Sequence, residues 1–306
     1  TSSASNAIRD VHLADLDSDG DLDIITFSST GGSDTIAWKE NDGTANPSFS
    51  ANDIANAANN VYGIHVADMD GDGDLDIVST SVSDNSVTWY ENDGAANPTF
   101  TTANITTSAT GAYDVQVADM DGDGDLDILT TSYDASLAWY ENDGATNPSW
   151  SASTIAAQAD IMNPFGVDIA DIDNDGDLDV ITASQGDDTI AWHENNGAAN
   201  PSWTTTKLST SEDGASDVSV QDFDGDGDLD IISISDNDDT VAFFENNGAP
   251  NPSFTKRDIS TSIDQGFRLF AGDLDNDGDI DLVSANGAAN NKNTWFESDA
   301  SQNNDT

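Results

Sequence analysis

The chain has 306 residues, with 59 Asp plus Glu, 7 Lys plus Arg, no Cys and a formal net charge of −52. That balance excludes a nucleic-acid binder, which needs clustered Lys and Arg to displace counterions, and an anionic membrane surface would repel it. Without Cys there is no disulfide, thiol nucleophile or Cys-ligated zinc, and no apolar run approaches the roughly 18 residues of a membrane span.

The acids are placed rather than scattered. The segment Asp-x-Asp-x-Asp-Gly-Asp-x-Asp occurs six times at intervals of 51–53 residues. In chain order its acids are Asp15, Asp17, Asp19, Asp21 and Asp23; Asp68, Asp70, Asp72, Asp74 and Asp76; and Asp119, Asp121, Asp123, Asp125 and Asp127. They continue with Asp171, Asp173, Asp175, Asp177 and Asp179; Asp222, Asp224, Asp226, Asp228 and Asp230; and Asp273, Asp275, Asp277, Asp279 and Asp281. A period near 50 signals a propeller or solenoid.

A second block follows in phase. It places an aromatic at Trp38, Trp89, Trp139, Trp192, Phe243 and Trp295, with Glu40, Glu91, Glu141, Glu194, Glu245 and Glu297 two residues later. Five copies run on through a Gly turn to Phe49, Phe100, Trp150, Trp203 or Phe254. In the third repeat the alternation predicts strands over 115–118, 126–131, 137–140 and 150–155, and no stretch shows helical periodicity. Four short strands per repeat and six repeats predict an all-β chain, residues 1–306 as a single β-propeller domain of six four-stranded blades. A parallel β-helix is the competing repeat fold. The last blade lacks its outer strand: either that blade has three strands, or a neighbouring chain or segment completes it, and residues 1–7 are expected to cover part of that edge.

In the acidic segment, positions 1, 3 and 5 send carboxylates inward from a tight turn. Gly at position 6 permits the bend, position 7 offers its carbonyl, and Asp at position 9 returns another carboxylate. Such an all-oxygen cage suits Ca²⁺, about six ions in all. The flanks are strands, and position 12 is Thr or Ser rather than Glu, which excludes an EF-hand. A merely solvating acidic turn would not need this fixed order.

These loops, with Tyr62-Gly63 and Phe165-Gly166 before the first strands, resemble the FG-GAP/VCBS repeat β-propellers, a family that includes the integrin α headpiece propeller and several propeller lectins. The resemblance covers the whole chain. It implies Ca²⁺ between the first and second strands of each blade and an extracellular or cell-surface setting. Two features depart from the family: six repeats stand where rings commonly have seven, and Ser79-Thr80-Ser81 replaces Gly-Ala-Pro.

The Asp loop and the turn after the third strand keep constant lengths, whereas connections at the other blade end vary. A partner, either a glycan or a surface protein, is expected there. Tyr62, Tyr113, Phe165 and Phe267 stand six residues before their loops and suit packing between blades or stacking on a sugar. The repeated Trp, Trp295 included, are expected to build the core between blades. The repeated Glu suit either turn amides, the favoured reading, or a neighbouring metal loop. The side chain of position 7 is expected to face solvent or a ring neighbour. No catalytic constellation is present. The expectation is a non-catalytic recognition or adhesion module. The alternatives are a structural or display domain of a larger surface or filament assembly and, third, a propeller polysaccharide lyase.

Overall fold

The structure is a computed structural model that describes residues 7–29, 34–134, 136–287 and 293–298. Residues 1–6, expected to cover a sheet edge, lie outside that set. Among the described residues every regular element is a strand.

The first sheet holds β1 (Ala7–Ala14), β2 (Asp23–Ser29), β3 (Asp34–Asn41) and β4 (Phe49–Ala58). The second holds β5 (Val61–Ala67), β6 (Asp76–Ser81), β7 (Ser86–Asn92) and β8 (Phe100–Thr106). The third holds β9 (Ala112–Ala118), β10 (Asp127–Ser132), β11 (Ser136–Asn142) and β12 (Trp150–Ala156). The four strands predicted for this repeat are all found, with bounds that coincide at two ends and differ by one to three residues at the others. The fourth sheet holds β13 (Pro164–Ala170), β14 (Asp179–Ser184), β15 (Thr189–Asn195) and β16 (Trp203–Ser209). The fifth holds β17 (Ala215–Gln221), β18 (Asp230–Ser235), β19 (Thr240–Asn246) and β20 (Phe254–Ser260). The sixth holds β21 (Gly266–Gly272), β22 (Asp281–Asn286) and β23 (Thr294–Phe296). All neighbouring strands pair antiparallel in sequence order, as in the blades of a β-propeller. The fold is thus a six-bladed propeller whose last blade has three strands among the described residues.

Residue type follows depth within a blade. The second strands β6, β10, β14 and β18 are buried at every position. Their apolar first halves and small hydroxyl second halves fit between neighbouring sheets. The outer strand β20, Phe-Thr-Lys-Arg-Asp-Ile-Ser, is exposed over most of its length. Each first strand carries a register shift against its second strand, as between Val61 and Gly63 or Pro164 and Gly166. Such bulges sharpen the local twist. Glycine at this place answers to a close approach: a Cβ on Gly166 would stand 2.7 Å from the Cα of Asp217 in the next blade.

Residues group into two compact units, one of 1–119 and 123–154, the other of 120–122 and 155–306. In the first unit, Ile25, Phe27, Trp38, Ile64, Ile77 and Tyr90 form one core, and Val78, Trp89, Val115, Ile128 and Tyr140 another. In the second unit, Ile181, Trp192, Val218, Ile231 and Phe244 form one core, and Ile232, Phe243, Leu269 and Leu282 another. Four of the repeated Trp are 2–6% exposed as expected, but Trp295 is 51% exposed. The reason lies in order along the chain: Trp192 is covered by the blade that comes after it, and no blade comes after Trp295 within its unit.

Candidate metal loops

Each Asp segment joins the first and second strands of its blade. In the second blade, Asp68 accepts hydrogen bonds from the amides of Asp72 at 3.1 Å and Gly73 at 3.0 Å. Asp70 accepts from Asp72 at 3.3 Å, and Asp72 accepts from Asp74 at 3.0 Å. The bond from the position 6 glycine to position 1 recurs in all six loops at 2.9–3.1 Å. That glycine has φ between +96° and +101° in every loop, a conformation that side chains oppose. Position 4 is also left-handed, at Ser18, Gly71, Gly122, Asn174, Gly225 and Asn276. Sequence reasoning passed over position 4, although its restriction to Ser, Gly and Asn was the available signal.

Position 9 is the buried member, at 0–1% exposure in all six loops. Asp76 accepts from the amide of Met69 in its own loop at 3.2 Å and from Asn92 at the end of β7 at 2.8 Å. It therefore clips the loop to the third strand. Burial pushes Asp76, Asp179 and Asp230 up to about 7, against the pull of the amides they accept.

Position 7 is half-buried, with its side chain against the turn between the third and fourth strands. The Asp74 carboxylate lies beneath Gly94 in the turn between the third and fourth strands, where an added Cβ would stand 1.9 Å from Oδ2. Asp21 with Gly43, Asp125 with Gly144, Asp177 with Gly197 and Asp228 with Gly248 repeat the arrangement.

The expected glutamate role also changes. The turn amides are served by other side chains: Asn92 Oδ1 accepts from Gly94, and Asp93 Oδ1 accepts from Ala95 and Thr99. Glu91, Glu194 and Glu245 add like charge to position 3 of their own loops. Burial is the main cause that raises Asp70, Asp173 and Asp224, with Asp at position 5 and these glutamates adding to it.

A cation fits the loops. Carboxylate oxygens of Asp15, Asp17 and Asp19 lie within 4.8 Å of one another, as do those of Asp68, Asp70 and Asp72 and of Asp171, Asp173 and Asp175. In the third and fifth loops the convergent sets are Asp119, Asp121 and Asp127, and Asp222, Asp224 and Asp230, which bring in position 9. In the fourth loop Oδ1 of Asp173 and Oδ2 of Asp179 are enclosed with no donor in full hydrogen-bond geometry, the Asp175 amide and the Ile172 amide and Trp192 indole standing near them. Buried carboxylate oxygens without a full hydrogen bond are costly, and a hard cation would satisfy both. Positions 1, 3, 5 and 9 would hold it by carboxylate and position 7 by its carbonyl, and the ion would supply charge neutralisation.

A further set of bonds links blades through the same loops. Asn92 Nδ2 donates to the carbonyl of Leu16, in the first blade's loop, at 2.9 Å. Asn142 donates to Met69 at 2.9 Å, Asn195 to Met120 at 2.9 Å and Asn246 to Ile172 at 3.0 Å. The sixth blade has Ser298 at this place, whose amide donates to Asp281 at 2.8 Å.

The four proposed ligand aromatics pack on rings. In the first unit Tyr62 meets Tyr113 edge-on with centroids 5.0 Å apart, and Tyr113 meets Tyr133 at 6.4 Å. Tyr133 is 61% exposed and was missed in the sequence, because it lies just past a second strand and has no counterpart in the other repeats. In the second unit Phe165, which is buried, meets Phe267 at 5.9 Å. These residues stand at strand ends away from the acidic loops.

The profile of the FG-GAP-like repeat matches residues 15–79, 69–130, 122–182, 171–233 and 222–284. The chain belongs to this family of repeat β-propellers. No curated protein matches the sequence significantly. Among solved structures, the chain is similar to the V. cholerae biofilm matrix protein Bap1, with 18% identity, a TM-score of 0.52, and coverage of 88% of this chain and 42% of that one. It is similar to a protein from Lactobacillus plantarum, with 14% identity, a TM-score of 0.60, and coverage of 94% and 83%. It is also similar to a chain of a humanized mutant of the Chaetomium thermophilum Polycomb Repressive Complex 2, with 14% identity, a TM-score of 0.61, and coverage of 95% and 67%. At these identities the likeness concerns the fold. The chain spans less than half the length of Bap1.

Proposed function

We propose that this chain is a calcium-stabilised, non-catalytic recognition or adhesion module of an extracellular surface. The observation that carries the reading is the tyrosine group of the first unit. Tyr62, Tyr113 and Tyr133 gather at blade ends away from the acidic loops, and Tyr133 offers an exposed ring. Rings with an apolar face and a polar tip suit carbohydrate or protein surfaces. The loops would then act as the rigid frame and the varied ends as the contact surface. The similarity to a biofilm matrix protein supports this setting.

The test is a glycan array read with calcium present, followed by Tyr133→Ala on any hit. Binding that falls at least tenfold while the melting temperature stays within a degree or two supports the reading. No hit on glycans or on surface extracts, or a hit indifferent to Tyr133→Ala, removes it. A structural or display role is the second reading, and the similarity to a biofilm matrix protein suits it as well.

A further inference from the structure

We infer that His12 and His65, on neighbouring first strands of the first unit, form a cation site of a second kind, one that takes a nitrogen-seeking divalent ion such as Cu²⁺ rather than calcium. The inference goes beyond the recognition role and rests on neither the acidic loops nor the tyrosine group.

The repeat sets the two histidines in register. His12 stands in β1 opposite Ile25 of β2, and His65 stands in β5 opposite Val78 of β6. Each comes three residues before the first Asp of its loop, where the other repeats have Gln116, Asp168, Ser219 and Phe270. Packing therefore makes no demand for His at this place, yet two of the chain's 3 His occupy it on successive blades. Both are half-buried. Their ring centroids lie 6.3 Å apart with the planes inclined at 56°.

That separation selects the ion. A metal sits about 2.0–2.1 Å from an imidazole nitrogen, and so about 3.2 Å from the ring centroid. Two imidazoles on opposite sides of one ion then have centroids about 6.4 Å apart, and two at a tetrahedral angle about 5.2 Å apart. The observed 6.3 Å is the opposed arrangement, which the tetragonal geometry of Cu²⁺ or Ni²⁺ accepts. Tetrahedral Zn²⁺ would need the rings to close by about 1 Å. The broad second torsion of His lets each ring turn a nitrogen to the ion, and waters would fill the other positions. Calcium, which takes oxygen, would gain nothing here. Protonation favours the same use. Burial, with His12 adding to it and Asp114 opposing, pushes His65 down to about 4 from an ordinary 6.5. Near neutral pH its ring is thus uncharged, the form that ligates a metal. The Asp114 charge on β9 and a net charge of −52 draw divalent cations toward the pair.

The probe is copper(II) chloride, titrated into the full chain near neutral pH in excess calcium so that oxygen sites are contested. Electron paramagnetic resonance reads the donor atoms, and nuclear magnetic resonance reads paramagnetic broadening of the His ring signals. Nitrogen coupling at the first equivalent is expected, with the rings of His12 and His65 broadened ahead of that of His193. His65→Gln and His12→Gln should each weaken binding at least tenfold, and both should fold, because Gln116 holds the same place in the third blade. A spectrum with oxygen donors alone, broadening that spares either ring, or equal affinity in a folded His65→Gln chain overturns the proposal. The two spectra of the parent chain decide the matter even where a variant does not fold.

Discussion

Asp74 and Gly94 compete for the same space: the carboxylate of the seventh loop position lies where a Cβ on the turn glycine would be, 1.9 Å from Oδ2. Gly94 also has φ +63°. Gly94→Ala should therefore cost about 1–2 kcal/mol for the left-handed backbone, and more for the displaced carboxylate. Pairing it with Asp74→Ala should recover the second part only. Urea unfolding of the single and double variants separates the two. A single variant as stable as the parent would refute the fit.

Asp179→Asn should change sign with the ion. Without metal, a neutral group suits a site where burial has already pushed the carboxyl up to about 7, so the variant should melt higher than the parent in chelator. With calcium the variant lacks a charged ligand and should melt lower. The parent should lose stability sharply on chelation, since one site at a hundred times its Kd contributes about 2.7 kcal/mol. Two melting curves per protein decide it, and shifts of equal sign in both media would count against a cation at this place.

His193 should set an acid limit. It is 0% exposed, with Nε2 3.0 Å from Thr182 Oγ1 and Nδ1 2.9 Å from Thr205 Oγ1. Burial pushes it down to about 3 from an ordinary 6.5. Between these values the unfolded chain binds the proton and the folded chain does not. Its contribution is therefore full above pH 6.5 and lost as pH falls toward 3, by at most about 1.4 kcal/mol per pH unit. Asp179 acts oppositely in the metal-free chain: raised above its unfolded value, it favours the folded state at low pH and loses that as pH rises toward 7. In calcium, His193→Gln should flatten the fall between pH 6 and 4. An unaltered slope would assign that fall to other groups.

Ser298→Asn should stabilise. It would restore in the sixth blade the side chain that ties the other blades to a preceding loop, with the carbonyl of Phe223 as acceptor. Internal-consensus changes of this kind contribute about 0.5–2 kcal/mol. Thermal unfolding measures it, and a neutral or lower midpoint would show that the sixth blade is set differently.

The repeat made much of this legible. Asp at fixed odd positions, Gly at position 6 and an aromatic every 50 or so residues suffice to place strands and loops, because those requirements are local. Relations across blades stayed hidden. Asn92 recurs in plain sight, yet its acceptor Leu16 is 76 residues away, and no local pattern names it. The turn amides are served by Asn92 and Asp93 rather than by Glu91, which spacing alone does not tell. Trp295 matches its siblings in sequence and differs in exposure, since burial depends on the next blade along the chain and not on the residue itself.

The inter-blade asparagine bonds have a direction. In the first unit the donor sits on the later blade and the acceptor in the earlier loop, from Asn92 to Leu16 and from Asn142 to Met69. The second unit repeats this from Asn246 to Ile172. In a chain of units coupled only to their neighbours, a loop that loses its shape withdraws an acceptor from the blade after it and none from the blade before. Damage to one loop should thus run forward along the polypeptide and stop short of the blades that precede it, so that an injury's place in the sequence decides how many blades it loosens.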